Sequence, residues 1–340
     1  MDNSARDVPA TSSAPLRMRS SSTRLILAQI AAIAVIVIGL LVWPALFPQE
    51  FYLHIAILVL LSIIGSVALH LVMRTGRLSL GQAAFCGLGA YTSTFLVMKV
   101  HAPFVMGFLG AIVVPGLLAL AIGPVVLRLR GVYFALITFA LGEVMQLLLL
   151  DAQPLTGGAD GIFGIPPPAV FLNSPVAYYY FALIVTAACI GFVYALLSSQ
   201  VGRALDAIGE TDNLAEAAGI AASRFRVFAF VVAASMLGIE GSLFAHYLGY
   251  ISPQVFGFNA SLLYVAANVV GGSTSLVGPI IGSAFLVPLP EFLRGFVQYQ
   301  QILYGAVLLI VVTIAPRGLV GAITGKMRLC FSRRKDGGDE

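Results

Sequence analysis

The sequence predicts an all-α polytopic membrane protein of about ten transmembrane helices, some short or broken, and three observations carry that prediction. Of 340 residues, 59% are hydrophobic and 10% charged, whereas a soluble globular domain carries roughly 25% charged residues. The apolar stretches are continuous runs of about 20 residues rather than alternating segments of about ten, so helices and not an outer-membrane barrel satisfy the backbone. Lys and Arg fall in the polar joints between these runs, where they set orientation in a bilayer. The joints account for the net charge of +4, so the basic balance is no argument for a nucleic-acid partner.

Residues 1–24 are rich in Ser, Ala, Pro and Arg and too poor in apolar groups to fold alone; they are expected to form a disordered cytoplasmic tail. The run 25–47 is too long for a cleaved signal and lacks a small-residue cleavage site, so it is read as the first span. Spans follow at 51–73, 78–98, 104–127, 132–150 and 177–197, then at 225–247, 258–270, 278–292 and 301–315. The segments 258–270 and 278–292 are short, and Gly271-Gly272, Gly278 and Gly282 interrupt the chain around them, as in broken or re-entrant helices. Residues 322–340 form a basic tail. With both termini cytoplasmic, all of the 19 Lys and Arg residues except Lys99 and Arg294 lie inside, a lopsidedness that supports the count of ten. The same orientation puts 151–176 outside and 198–220 in the cytoplasm.

The stretch 198–220, SSQVGRALDAIGETDNLAEAAGI, is the one long polar island among the spans. A helix is expected from Gly202 to Ile208, closed by Gly209 in the left-handed conformation. A second is expected after Asn213, which with Glu216 has capping-box spacing. Leu205 and Ile208 would share one face of the first helix, and Leu214 and Ala218 one face of the second. Helices this short are unstable alone, so a partner surface or the membrane boundary is expected to hold them; the alternative is a solvated loop.

Within the membrane, 75–91 combines Gly76, Gly81, Gly87 and Gly89 with small Ala residues, which suits close helix packing, while Ser79 and Gln82 carry hydrogen-bonding groups to depth. This reads either as helix packing or as a lined pathway. Glu143, one turn from Gln146, reads either as a functional group or as an interhelical hydrogen-bonding residue. Glu240 is similarly deep, and His70 and His246 read as packing residues. The loop TGGADGIFGIP from Thr156 lacks the carboxylates of a calcium site. No His or Cys cluster has metal-ligand spacing, so no cofactor is expected. Gly325-Lys326 lacks the remaining residues of a phosphate-cradling loop, and no nucleophile–base pair points to an enzyme.

RLSLGQAAFCGLGAY from Arg77, LRLRGVYFALITFALGE from Leu127, the Thr156 loop, VGRALDAIGETDNLAEAAGI from Val201 and VGGSTSLVGPIIGSAF from Val270 resemble the permease family of ABC importers for branched-chain amino acids, in its second, M-type form. The resemblance implies an inner-membrane permease with no motor of its own, moving its substrate inward by alternating access. It implies three kinds of partner besides the lipid bilayer: an H-type permease, two cytoplasmic ATP-binding subunits, which would hydrolyse the ATP, and a periplasmic substrate-binding protein. Residues 198–224 match the cytoplasmic coupling loop, so Gly202, Arg203, Asp206, Glu210, Glu216 and Gly219 inherit an ATPase-contact role. Gly219 follows Glu216-Ala217-Ala218 directly, where the general importer signature has three more residues before Gly. Ser79, Gln82, Tyr91, Thr138 and Glu143 are expected to face the translocation pathway. Urea- and amide-type importers resemble the same motifs, and the rival of another class is a self-contained proton-coupled transporter using Glu143 or Glu240.

Overall fold

The computed structural model describes residues 38–296, 299–315 and 318–321. Both predicted tails and most of the first span lie outside them. The chain up to Pro48 and the chain from Gln49 onward form two units. In the first, residues 38–46 are helical and the Trp43 and Phe47 rings lie 4.7 Å apart.

The second unit is helical nearly throughout. Its main helices are α1 (Glu50–Met73), α2 (Gln82–Met98), α3 (Phe104–Val126), α4 (Val132–Asp151), α5 (Pro175–Ser198), α6 (Gln200–Glu210), α7 (Asp212–Ala217), α8 (Ala222–Leu248), α9 (Phe258–Gly271), α10 (Val277–Leu286) and α11 (Gln300–Ile314). Among the described residues, six helical stretches are long and apolar enough to cross a membrane: α1, α3, α4, α5, α8 and the run Pro253–Gly271. The α2 helix begins at Gln82 rather than at 78, because Leu78 to Gly81 are not helical. With 14 and 10 residues, α9 and α10 measure about 21 and 15 Å, short of a hydrocarbon core of about 30 Å.

The core lies around α1 and α8, whose apolar windows are 78% and 61% buried; those of α3, α4 and α5 are 28%, 17% and 22% buried. α8 packs against α3, α2 and α1, while α1 also carries α5, α10 and α9. Small residues permit this closeness: Gly238 and Gly241 of α8 lie against the carbonyls of Ala111 on α3 and Cys86 on α2, so any side chain there would collide with backbone.

At one end of the bundle the Gly-rich loop does more than connect. Gly157, Gly158, Gly161 and Gly164 all have positive φ, which Gly alone adopts freely. They turn the chain so that β1 (Ile162–Phe163) pairs antiparallel with β2 (Tyr250–Ile251), and the Phe163 and Tyr250 rings stack at 4.3 Å.

At the opposite end α6 and α7 form the polar island, with three departures from expectation. First, α6 starts at Gln200, capped by Ser199 Oγ accepting from the Val201 amide at 3.1 Å. It runs through Gly209, whose missing side chain makes room for the Arg74 carbonyl. Second, α7 starts at Asp212, and no side-chain cap forms. Third, Leu205 and Ile208 are buried as expected, but in the second helix Ala215 is buried and Leu214 is 71% exposed. Leu205 packs with Leu71 and Ala229, and Ile208 with Ala215 and Ala222, so the bundle itself holds these short helices.

Candidate functional site

Six island residues carry the expected docking role, and the structure divides them. Arg203, Glu210, Glu216 and Gly219 are exposed, and Arg203 donates locally, 3.5 Å from the Ser198 carbonyl. Gly202 is buried against the Leu197 carbonyl. Asp206 is partly exposed and pairs with Arg74 at 2.7 Å. Leu214 is exposed as well, an apolar group on the helix face expected to meet a partner surface or the membrane boundary.

Beside these helices lies a cavity of about 330 Å³, lined in part by Thr75, Arg77, Arg130, Glu210 and Asp212. Asp212 accepts from Arg226 and lies 3.7 Å from Arg77 and 3.5 Å from Arg130. Arg77 also donates to the Leu129 carbonyl. Burial and then the Arg226 guanidinium push Arg77 below its ordinary pKa, and Asp212 opposes the shift; an arginine nonetheless stays charged at neutral pH. No short motif marks this cluster, because its members come from four separate stretches of chain.

The five pathway candidates are not gathered into one place. Ser79 and Gln82 are buried, and the Ser79 hydroxyl and both polar atoms of the Gln82 amide have no hydrogen-bond partner among the described residues. Thr138 joins them: its hydroxyl accepts from the Leu80 amide at 3.1 Å and donates back to its own helix. Tyr91 sits nine residues along α2 from Gln82, about 13 Å away, beside Phe256. Glu143 differs from all four. It is half-buried about halfway along α4, and no hydrogen bond or ion pair engages it among the described residues.

A second polar cluster lies wholly inside the bundle. Tyr264 on α9 donates to Glu240 of α8 at 2.9 Å, in a space left open by Gly65 of α1. Asn268 donates to the Ser66 carbonyl, and the Ser283 and Ser66 hydroxyls are 2.8 Å apart. His70 is buried beside them. Glu240 is 4% exposed, so this carboxyl faces protein on every side. Ser261, Tyr264 and Asn268 recur at helical spacing, a polar stripe legible in the sequence but not read from it. His246 is a packing residue, bonded to Ser93 at 3.0 Å and to the Pro166 carbonyl at 2.6 Å. Among the described residues no group of acids, His or Cys could hold a metal.

A bundle of lipid-length helices with a charged, partly exposed face at one end defines a multi-pass membrane protein. The chain belongs to the family described as the branched-chain amino acid transport system permease component, whose model matches residues 51–312, and within it to the M-type permeases. It is 29% identical over 318 residues to the high-affinity branched-chain amino acid transport system permease protein LivM of Escherichia coli K12, covering 84% of this chain and 74% of the relative. It is 24% identical to LivH of the same organism, over 72% of this chain and 86% of that one. It is also 26% identical to the autoinducer 2 import system permease protein LsrC of Yersinia pseudotuberculosis serotype IB (strain PB1/+), over 63% and 58% of the two chains. No solved structure matches the chain.

Proposed function

We propose that this chain is one half of the pore of an ATP-driven importer in a bacterial inner membrane, moving branched-chain amino acids into the cytoplasm by alternating access. Ten helices, both termini cytoplasmic, would make up the transmembrane domain at 25–321, flanked by the two tails. Residues 198–224 would be the coupling loop, offering Arg203, Glu210, Leu214, Glu216 and Gly219 to one of two ATP-binding subunits that hydrolyse the ATP. An H-type permease would complete the pore, and a periplasmic binding protein would deliver the substrate. The names of the LivM and LivH relatives support the substrate class.

One observation carries the reading of a half pore: Glu143 is partly exposed in the middle of a lipid-length helix. A charged side chain at the bilayer centre costs about 3 kcal/mol on insertion scales, so such groups face protein or a water-filled path. The α4 face that bears it therefore needs a second permease or the pathway beside it. Ser79, Gln82, Thr138 and Tyr91 line the inner side of the same wall in this proposal, reached when the helices rock.

The test is uptake of labelled leucine by the reconstituted complex. Glu143→Leu is expected to reduce uptake at least tenfold while the subunits still assemble, and unchanged uptake removes α4 from the pathway. Replacing Arg203 and Glu216 together with Ala is expected to abolish co-purification of the ATPases; full retention refutes docking through this loop. Uptake that persists without ATPases and follows the proton gradient contradicts the ATP-driven reading itself.

A further inference from the structure

Asp212 stands at the first position of α7, and three guanidiniums share its carboxylate. Arg77 comes from the connection between α1 and α2, Arg130 from that between α3 and α4, and Arg226 from the first turns of α8. Arg77 and Arg226 are buried, and a buried cation without a counter-charge is strongly disfavoured. One carboxylate serves all three only while α7 keeps its place against three joints of the bundle at once.

The connection between α1 and α2 is gripped on both sides. Toward the polar island, Arg74 pairs with Asp206 at 2.7 Å and reaches the Thr274 carbonyl, between α9 and α10, at 3.3 Å. Gly76, at φ +74°, lies so close to Gly209 of α6 that a methyl group added there would sit 3.3 Å from its carbonyl oxygen. Toward the bundle, the Leu80 amide donates to Thr138 on α4 at 3.1 Å, and the Ala83 amide donates to Ser261 on α9 at 3.0 Å.

We infer that residues 74–83 are a strut that carries displacement of α6 and α7 to α4 and α9, and that Asp212 is the positioning residue that keeps the strut in register. This rests on the docking role proposed for the polar island. Pushing α6 drags Arg74 and Gly76, and the strut transfers the shift to the helix that bears Glu143. The charges of Arg77 and Arg226 return Asp212 to its seat when the push ends.

The test uses the full complex in proteoliposomes, with ATP hydrolysis and labelled leucine uptake measured together. Asp212→Asn keeps the shape and removes the charge. Arg130→Gln changes a side chain that is 63% exposed and so spares folding. Both variants are expected to retain the ATPases and to hydrolyse ATP, with uptake per ATP reduced at least fivefold in the first and about twofold in the second. Wild-type uptake per ATP in both overturns the strut. If Asp212→Asn does not assemble, Arg130→Gln decides alone: a reduced ratio supports the strut and an unchanged one overturns it. Failure of the docking role is separately visible, because the Arg203 and Glu216 double variant would then keep its ATPases whatever Asp212→Asn does.

Discussion

α1 and α4 are both unbroken apolar helices, of 24 and 20 residues with mean hydropathies of 2.7 and 1.9, yet the first is 78% buried and the second 17%. Hydropathy reports that a helix leaves water; it says nothing about whether protein or lipid receives it. What separates the two is residue size and placed polarity. α1 carries Gly65, Ser66 and His70 on faces that meet α8, α9 and α10, whereas α4 presents Val144, Leu147 and Leu148 outward with Glu143 beside them.

The contrast breaks most sharply at Gly65. Its Cβ position is occupied by the Glu240 carboxyl and the Tyr264 ring, the latter at 2.6 Å, so Gly65→Leu is expected to abolish the monodisperse peak of the detergent-solubilised protein. A surviving peak with wild-type thermal stability would show that α1 is not the tightly packed centre. Next in size is Ile64→Ala at a fully buried α1 position, expected to lower stability by about 2–5 kcal/mol in thermal unfolding. Smallest is Leu148→Ala on α4, where the side chain is 57% exposed. It is expected to change the stability of the isolated chain by about 0.5 kcal/mol or less, and a loss as large as that at Ile64 would erase the distinction between the helices.

Much of this architecture was legible. The described spans begin and end within a few residues of the apolar runs, because only a helix of that length hides its backbone from lipid. The shortness of α10 was also visible, in the brevity of its run and in Gly278 and Gly282. Details that depend on distant chain were not. The Asn213 capping box fails because the helix starts two residues earlier than that box requires, at Asp212, which leaves Thr211 at the N-cap. Gly209 looked like a helix terminator and is instead a contact residue, since nothing near it in sequence announces the Arg74 carbonyl. Of the candidate site, exposure at Arg203, Glu210, Glu216 and Gly219 followed from polarity alone. The pairing of Asp206 with Arg74 did not, because the two lie 132 residues apart in sequence. Thr138 lies at the joint that holds Ser79 and Gln82, a proximity that polarity in the membrane does not specify, and Tyr91 does not join them.

The pairing of Ile162–Phe163 with Tyr250–Ile251 has a mechanical consequence. It joins the chain just before α5 to the chain just after α8, so residues 163–250 form a closed loop with α6 and α7 at its far bend. Two helices with free ends could slide past each other and dissipate a load applied at that bend. With the mouth of the loop clasped by backbone hydrogen bonds and a stacked ring pair, the load becomes tension along α5 and α8. The clasp fixes the spacing of the two chain segments at the mouth of the loop, so α5 and α8 are tied at the end opposite α6 and α7.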